Sequence, residues 1–221
     1  MPTVDPKAHR ACYVFGAGAP PALPPRIAAK ALVIAADGGY SYTQSNGIRT
    51  DVLIGDFDSL AAVPESSSDG PLIYRLPKEK DRTDLMAALQ YGLEQGAVRF
   101  HVYGATGWRL DHTLANIQCL SYLLNHGARG YLYDGETVVT AMKGELRLAP
   151  RKRGVVSIFS SGASAQGVTV QGLKYELENA QLTGDFPLGV SNEFTGAPVY
   201  LRVEEGGLLL VYPRGTREVE E

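Results

Sequence analysis

The chain has little cysteine, no long apolar run and little net charge, and each shortage argues against a class of protein. Cys12 and Cys119 are isolated, without metal or redox spacing, so we expect two buried free thiols. No apolar stretch approaches the roughly 20 residues that span a bilayer, so no membrane partner is expected. A formal net charge of −3 provides no basic surface for nucleic acid. The polar segment 1–10 lacks a signal-peptide core, which favours a cytoplasmic protein.

The first part of the chain has the pattern of a parallel α/β domain. Short apolar runs alternate with helix-like segments, and continuous apolar strands are typical of sheets covered on both faces. The spacing of Leu85, Leu89 and Leu93 predicts a helix over 83–95, and a second helix runs through Leu114 to Leu124. A short helix is expected over 26–30. The predicted strands are 11–15, 31–36, 51–54, 71–76, 99–103 and 130–133.

The pattern changes after residue 136, where short β-like runs are separated by Gly, Pro, Asn and Asp and no amphipathic helix is evident. This is typical of a small antiparallel sandwich or barrel. The predicted fold is therefore an N-terminal α/β domain over 1–140 and a C-terminal all-β sandwich over 141–221. The β-like runs are 138–142, 154–159, 165–170, 199–203 and 208–212.

Acidic loops follow two of the predicted strands. Asp37 comes after the second strand, and Asp56 and Asp58 come after the third. On an extended backbone Asp56 and Asp58 would project to one side, with Phe57 on the other. Ligands of open α/β sheets bind outside the carboxyl ends of the strands, where these carboxylates would gather. Clustered carboxylates repel each other unless a cation lies among them, and Mg²⁺ suits oxygen ligands and phosphates.

Two further motifs complete an ordered set. Lys80-Asp81-Arg82-Thr83-Asp84 opens the 83–95 helix, and Gly104-Ala105-Thr106-Gly107-Trp108-Arg109-Leu110-Asp111-His112 joins the fifth strand to the next helix. Each motif alone has an ordinary alternative, such as an Asx turn at Asp56 and Asp58 or a helix cap formed by Asp81 and Asp84. The functional interpretation depends on all four motifs occurring in this order.

That order resembles thiamine pyrophosphokinase. The resemblance spans nearly the whole chain, and one position departs from it, because Trp108 stands where the family loop usually has a second glycine. Arg109 and Asp111 keep their places. The matching residues are Asp37-Gly38-Gly39, Gly55-Asp56-Phe57-Asp58-Ser59, Lys80-Asp81-x-Thr83-Asp84, Gly104-Ala105-x-Gly107-x-Arg109-x-Asp111-His112 with Asn116, and Val190-Ser191-Asn192-Glu193.

The resemblance implies a homodimer in which each site lies at the subunit interface, with Mg²⁺ as cofactor and ATP as diphosphoryl donor to the thiamine hydroxyl. It also implies that the sandwich helps to form the thiamine site and the dimer. Expected metal ligands are Asp56, Asp58 and Asp84, which with Asp111 form the expected catalytic set. Expected nucleotide-binding residues are Asp37, Lys80, Asp81, Gly104, Thr106, Gly107, Arg109 and His112. Expected thiamine contacts are Asp111, Ser191 and Asn192.

Other functions stay open at this point. The nearest is a pyrophosphokinase acting on a pterin alcohol, since related folds share the Asp-rich edge. A non-catalytic thiamine- or nucleotide-binding regulator belongs to a different class, and the full carboxylate set disfavours it. A Mg²⁺-dependent glycosyltransferase with an Asp-x-Asp motif is weaker again.

Overall fold

The computed structural model describes residues 11–58, 60 and 70–219, and the chain divides after Asp134 into two compact units. Ser59 of the third-strand motif lies outside the described residues. In the described residues no helix is long and apolar enough to cross a membrane. The helices are α1 (Gly39–Ser45), α2 (Asp84–Glu94) and α3 (Leu110–Asn125).

The N-terminal unit contains a six-stranded sheet in which every neighbouring pair is parallel, in the order β4-β3-β2-β1-β5-β6. The predicted α/β class is confirmed. The apolar runs locate all six strands. Five of them are mostly buried, so their sequences are largely hydrophobic, while the edge strand β4 is half-buried or exposed but still carries Leu72 and Ile73. The strands are β1 (Ala11–Phe15), β2 (Leu32–Ala36), β3 (Val52–Gly55), β4 (Leu72–Arg75), β5 (Arg99–Tyr103) and β6 (Arg129–Asp134).

Helices cover both faces of this sheet, and alternate residues of β1 show how. Cys12 faces α2, where a Cβ added at Gly92 would lie 2.5 Å from Phe100 Cε1 and 3.2 Å from Cys12 Sγ. Gly92 therefore lets α2 approach the sheet closely. Phe15 points to the opposite face and stacks on Tyr42 of α1, with ring centroids 5.7 Å apart. Both thiols are free and buried, which raises their pKa and makes them unreactive.

An aromatic layer extends from the α1 face across β5 and β6. The His101 ring stacks on Tyr13 at a centroid distance of 4.7 Å, and its Nδ1 lies 2.8 Å from the Tyr133 hydroxyl. Burial, with a smaller contribution from the charge of Arg99, lowers the pKa of His101 to about 4. The imidazole is therefore neutral in the folded protein at ordinary pH.

One predicted helix is wrong and another helix was not anticipated. Residues 26–30 form no helix, and Lys30 has a left-handed φ of 64° that ends any helical turn. Pro24 and Pro25 immediately before this segment also leave it too short to nucleate. By contrast, α1 has the sequence GYSYTQS, whose weak helix propensity gives no signal. Packing of α1 against β1 and β2 stabilises it instead.

The C-terminal unit is antiparallel and contains no helix among its described residues. The predicted runs 199–203 and 208–212 are parts of one strand with a register shift between Val203 and Leu208. The first part of this strand pairs with β9 and the second with β8, so its neighbour on one side changes at the irregularity. The strands are β7 (Thr137–Leu148), β8 (Val155–Ser160), β9 (Ser164–Gln171), β10 (Leu177–Thr183), β11 (Gly189–Glu193), β12 (Val199–Pro213) and β13 (Glu218–Val219).

Candidate active site

Loops at the carboxyl ends of four adjacent strands, β3, β2, β1 and β5, form the candidate site in the N-terminal unit. A cleft of about 320 Å³ opens there. The predicted site residues that line it are Asp37, Asp58, Asp84, Gly104, Thr106, Gly107, Arg109 and His112. Asp56, Lys80, Asp81 and Asp111 are not part of the cleft lining. The cleft also includes residues outside the predicted set, among them Gly16, Ala17, Gly18, Thr83, Trp108 and Asn116.

Three carboxylates form a compact group at this edge. Asp37, Asp56 and Asp58 each offer an oxygen, and these oxygens lie within 4.8 Å of one another. The predicted metal ligands were Asp56, Asp58 and Asp84, whereas the compact group contains Asp37 in place of Asp84. Hard oxygen ligands at such spacing fit Mg²⁺, which the protein would hold through one or two carboxylates together with substrate phosphates.

The turn that brings Asp56 and Asp58 together differs from the expected extended backbone. Phe57 between them has a left-handed φ of 68°, and Asp58 N donates to Asp56 Oδ1 at 3.3 Å. Phe57 is 5% exposed and packs against Ala35 and Leu53, which offsets the strain of this conformation. The two carboxylates therefore converge because of a tight, anchored turn and not because of strand alternation.

The Lys80 ammonium bridges two of the carboxylates. Its Nζ lies 3.0 Å from Asp56 Oδ2 and 3.0 Å from Asp84 Oδ1, and all three side chains are mostly buried. The hydrogen bond from Lys80 lowers the pKa of Asp56. Burial raises the pKa of Asp84 despite the opposing effect of Lys80. Burial also tends to lower the pKa of Lys80, but its bonds to both carboxylates outweigh this and raise it. The ammonium therefore stays charged and neutralises part of the acidic group.

The start of α2 is capped by Thr83 and not by the neighbouring aspartates. Thr83 Oγ1 accepts a hydrogen bond from Met86 N at 3.1 Å, which is a standard N-cap. This leaves Asp84 in the first helical turn, where its carboxylate lies in the cleft. Asp81 is exposed on the surface before the helix. The helix-cap interpretation of Asp81 and Asp84 is therefore wrong.

The glycine loop after β5 packs directly on the loop after β1. Gly18 N donates to Gly104 O at 2.7 Å and Ala19 N donates to Thr106 O at 2.8 Å. A Cβ added at Gly16 would lie 2.6 Å from Gly104 O, so only glycine permits this contact. We call the paired segments 16–18 and 104–107 the glycine ridge. The sequence Gly-Ala-Gly directly after an apolar strand was the available signal for the first segment.

Two side-chain hydrogen bonds fix the position of the glycine loop. Asn116 is buried and donates from Nδ2 to Ala105 O at 2.7 Å, while Thr106 Oγ1 donates to Asp134 Oδ1 at 3.0 Å. The part of the loop that precedes Gly107, which has a φ of 85°, is thus fixed by two hydrogen bonds. Trp108 is not among the described residues with positive φ, so a side chain at this position imposes no backbone strain.

Arg109 and Asp111 form a bidentate ion pair at the start of α3. Arg109 Nη2 lies 2.6 Å from Asp111 Oδ2, and Nε donates to Oδ1 at 3.2 Å. This pairing raises the pKa of Arg109 and lowers that of Asp111. Both side chains are about two-thirds exposed, so the pair can open when an anion competes for the guanidinium. His112 N also donates to Asp111 Oδ1, at 2.9 Å.

The predicted thiamine contacts of the C-terminal unit lie on β11. Asn192 is buried, and its amide donates to Tyr175 O at 2.6 Å and accepts from Tyr175 N at 2.9 Å. Ser191 has a left-handed φ of 61° and donates its N–H to Ser157 Oγ at 3.2 Å. The structure therefore gives Asn192 a positioning role toward the exposed Tyr175. The thiamine contacts themselves stay a prediction.

A parallel sheet with clustered carboxylates, a mostly buried lysine and a glycine ridge at its carboxyl edge fits a kinase-type transferase. Two family models match the chain, "Thiamin pyrophosphokinase, catalytic domain" over residues 25–132 and "Thiamin pyrophosphokinase, vitamin B1 binding domain" over residues 145–208. Together they cover more than three quarters of the chain. The protein belongs to the thiamin pyrophosphokinase family, which confirms the predicted family and enzyme class.

Individual relatives agree with this assignment. Thiamine pyrophosphokinase of Bacillus subtilis is 28% identical over 184 residues, covering 81% of this chain and 86% of the relative. Thiamin pyrophosphokinase 1 of Caenorhabditis elegans is 26% identical over 164 residues, covering 68% and 65%. The solved structure of the Bacillus subtilis protein superposes with a TM-score of 0.80 at 25% identity, covering 93% of this chain and 99% of that one.

Proposed function

We propose that the protein transfers the diphosphoryl group of ATP to the hydroxyl of thiamine, giving thiamine diphosphate and AMP. The observation that carries this proposal is the group of Asp37, Asp56 and Asp58 beside the glycine ridge, in a chain of this family. The thiamine oxygen forms a bond to the β-phosphorus, the bond from that phosphorus to the α,β-bridging oxygen breaks, and the hydroxyl proton is released. Catalysis of this kind needs positioning and charge neutralisation more than covalent help.

Each part of the site has a role in this proposal. Asp37, Asp56, Asp58 and Asp84 would hold Mg²⁺, which when bound neutralises phosphate charge. Lys80 and Arg109 would bind polyphosphate oxygens, with Arg109 exchanging its carboxylate partner for a phosphate. Asp111, released by that exchange, would orient the thiamine hydroxyl or its aminopyrimidine. Backbone N–H groups of the glycine ridge would approach the phosphates at the start of α3.

The reaction is tested by incubating the protein with ATP, Mg²⁺ and thiamine and identifying the products by mass. Thiamine diphosphate and AMP are expected in equal amounts. ADP with thiamine monophosphate would contradict diphosphoryl transfer, turnover of a pterin alcohol instead of thiamine would indicate the related pyrophosphokinase, and binding without turnover would indicate a regulator. Asp56→Asn and Asp58→Asn should each reduce turnover by orders of magnitude, whereas Glu94→Gln, an exposed carboxylate on α2, should not.

We also propose a cytoplasmic homodimer in which the sandwich over 141–221 helps to form the thiamine site. Family resemblance through Ser191 and Asn192 supports this, and a sandwich of this size buries limited surface alone. Sedimentation at assay concentration should show a dimer. Mixing an Asp56→Asn subunit with an Asn192→Ala subunit should restore activity if sites are shared, because one mixed site is intact. Activity in a monomer, or no restoration from two folded variants, would contradict the shared site.

A further inference from the structure

The protein has a single tryptophan, and it lies in the glycine loop after β5. Trp108 is 78% exposed and lies between Gly107 and Arg109. Isolated exposed hydrophobic residues are common and need no explanation. Trp108 differs from them because its side chain lines two cavities of the N-terminal unit.

The first cavity is the carboxylate cleft, and the second lies across the glycine ridge from it. We call the second the neutral cavity. It has a volume of about 440 Å³, within the range of about 300–1,000 Å³ that is usual for small-molecule sites. It shares Gly16, Ala17, Gly18, Gly104 and Trp108 with the cleft. Apart from Trp108 these shared residues are glycine and alanine, so the ridge between the two cavities is mostly backbone.

The lining of the neutral cavity differs in charge from that of the cleft. Among the residues that line it there is no Asp, Glu, Lys or Arg. Its walls include the rings of Phe15 and Tyr42, and its polar groups come from Ser41, Ser45 and Asn46. An apolar cavity with a few polar groups and an indole at its edge suits a flat, uncharged heteroaromatic ring.

We propose that the neutral cavity binds the base of the nucleotide donor, with Trp108 stacking on it. This inference rests on the proposed function, because it assigns the remaining part of the same donor. The polyphosphate would cross the glycine ridge from the base to the carboxylate group, with Arg109 beside it. Thiamine is a cation and would be better placed near carboxylates than in an uncharged cavity, which is why the base is the chosen occupant.

Fluorescence of the single tryptophan provides a direct test, because Trp108 is the only indole in the chain. We expect AMP and adenosine to change the emission in a saturable way. Tripolyphosphate with Mg²⁺, which would bind in the cleft that Trp108 also lines, should not reproduce the saturable change given by adenosine, and neither should thiamine. A response to thiamine or to the inorganic phosphates but not to AMP would overturn the proposal. This measurement needs no turnover.

Kinetics provide the second test. Base–aromatic stacking contributes about 1–3 kcal/mol, so Trp108→Gly should raise the KM for ATP by about 5- to 150-fold with little change in kcat or in the KM for thiamine. Trp108→Phe should recover most of the loss. Val98→Ala, a change at another exposed apolar residue, is the matched control. An unchanged KM for ATP in Trp108→Gly would overturn the proposal.

The two proposals fail in different ways. If AMP changes the Trp108 emission but no thiamine diphosphate forms, the base site stands and the proposed reaction is wrong. If the reaction occurs while Trp108 is silent and Trp108→Gly has a normal KM for ATP, the reaction stands and the base site is wrong.

Discussion

Lys80→Met should increase the affinity of the protein for Mg²⁺ while it reduces activity. In the structure the Lys80 ammonium occupies the space between Asp56 and Asp84, at 3.0 Å from an oxygen of each. A cation bound to Asp56 would therefore be repelled by Lys80 at close range. Methionine keeps an unbranched apolar chain but removes the charge, so the carboxylate group loses its internal counter-ion.

The size of this effect follows from Coulomb's law. Two unit charges about 4 Å apart repel by roughly 1 kcal/mol in bulk water and roughly 4 kcal/mol at the effective dielectric constant near a protein surface, and a dication doubles both values. We take the bulk-water value, about 2 kcal/mol, as the minimum for a side chain that is 13% exposed, and it corresponds to a Kd for Mg²⁺ at least about 30-fold lower. Turnover should fall in the same variant because a polyphosphate ligand is lost.

Calorimetric titration of Mg²⁺ into the nucleotide-free protein measures this difference. Lys78→Met, at an exposed lysine two residues away, is the control and should bind Mg²⁺ like the wild type. Because Lys80→Met should bind Mg²⁺ more tightly, its Tm should also rise more steeply with Mg²⁺ concentration than that of the wild type. Unchanged or weaker Mg²⁺ binding in Lys80→Met, with no steeper rise in Tm, would refute the reasoning.

Three other outcomes are expected. Arg109→Lys should lower kcat/KM at least tenfold despite the retained charge, because lysine cannot grip phosphate oxygens with the two-pronged guanidinium contact that Arg109 now makes with Asp111, whereas Arg202→Lys should not; wild-type rates at limiting and saturating ATP would contradict this. The pKa of His101 is about 4 in the folded protein, below its ordinary 6.5, so the unfolded state binds a proton more readily between these values. The free energy of unfolding should therefore fall by up to about 3 kcal/mol as the pH drops from 6.5 to 4. Urea titrations at several pH values should show a weaker pH dependence of this free energy in His101→Phe than in the wild type. Thr83→Ala removes the cap of α2 and should cost about 0.5–2 kcal/mol, a loss of a few degrees in Tm by calorimetry, and an unchanged Tm would exclude the cap.

The sequence predicted the sheet well because burial leaves a direct signal in composition. The strands β1 and β5 begin and end where the apolar runs do. Edge strands of the C-terminal unit were not predicted, since β10 and β11 are largely exposed and carry polar residues that look like loops. Strand propensity depends on neighbours and burial, so such strands become recognisable only in the folded structure.

In the site, too, some features could be predicted from the order of elements and others depend on contacts between residues far apart in the sequence. The convergence of Asp37, Asp56 and Asp58 follows from parallel strands ending at one edge, a rule that needs only the order of elements. The bridge from Lys80 to Asp56 joins residues 24 positions apart, and sequence spacing alone does not specify such a contact. The sequence also did not predict the left-handed backbone of Phe57, because bulky residues rarely adopt this conformation without surrounding packing.

The close approach at Gly92 restricts how this protein can be engineered for heat resistance. Replacing a helical glycine with alanine is a common stabilising change, worth about 1 kcal/mol in an exposed helix. At Gly92 the new methyl group would collide with Phe100, and α2 would have to move away from the sheet. Asp84 lies eight residues earlier on the same rigid helix, about 12 Å away, so the displacement would reach the carboxylate cleft. A designer would therefore need to shrink Phe100 in the same step, or choose another helix for stabilisation.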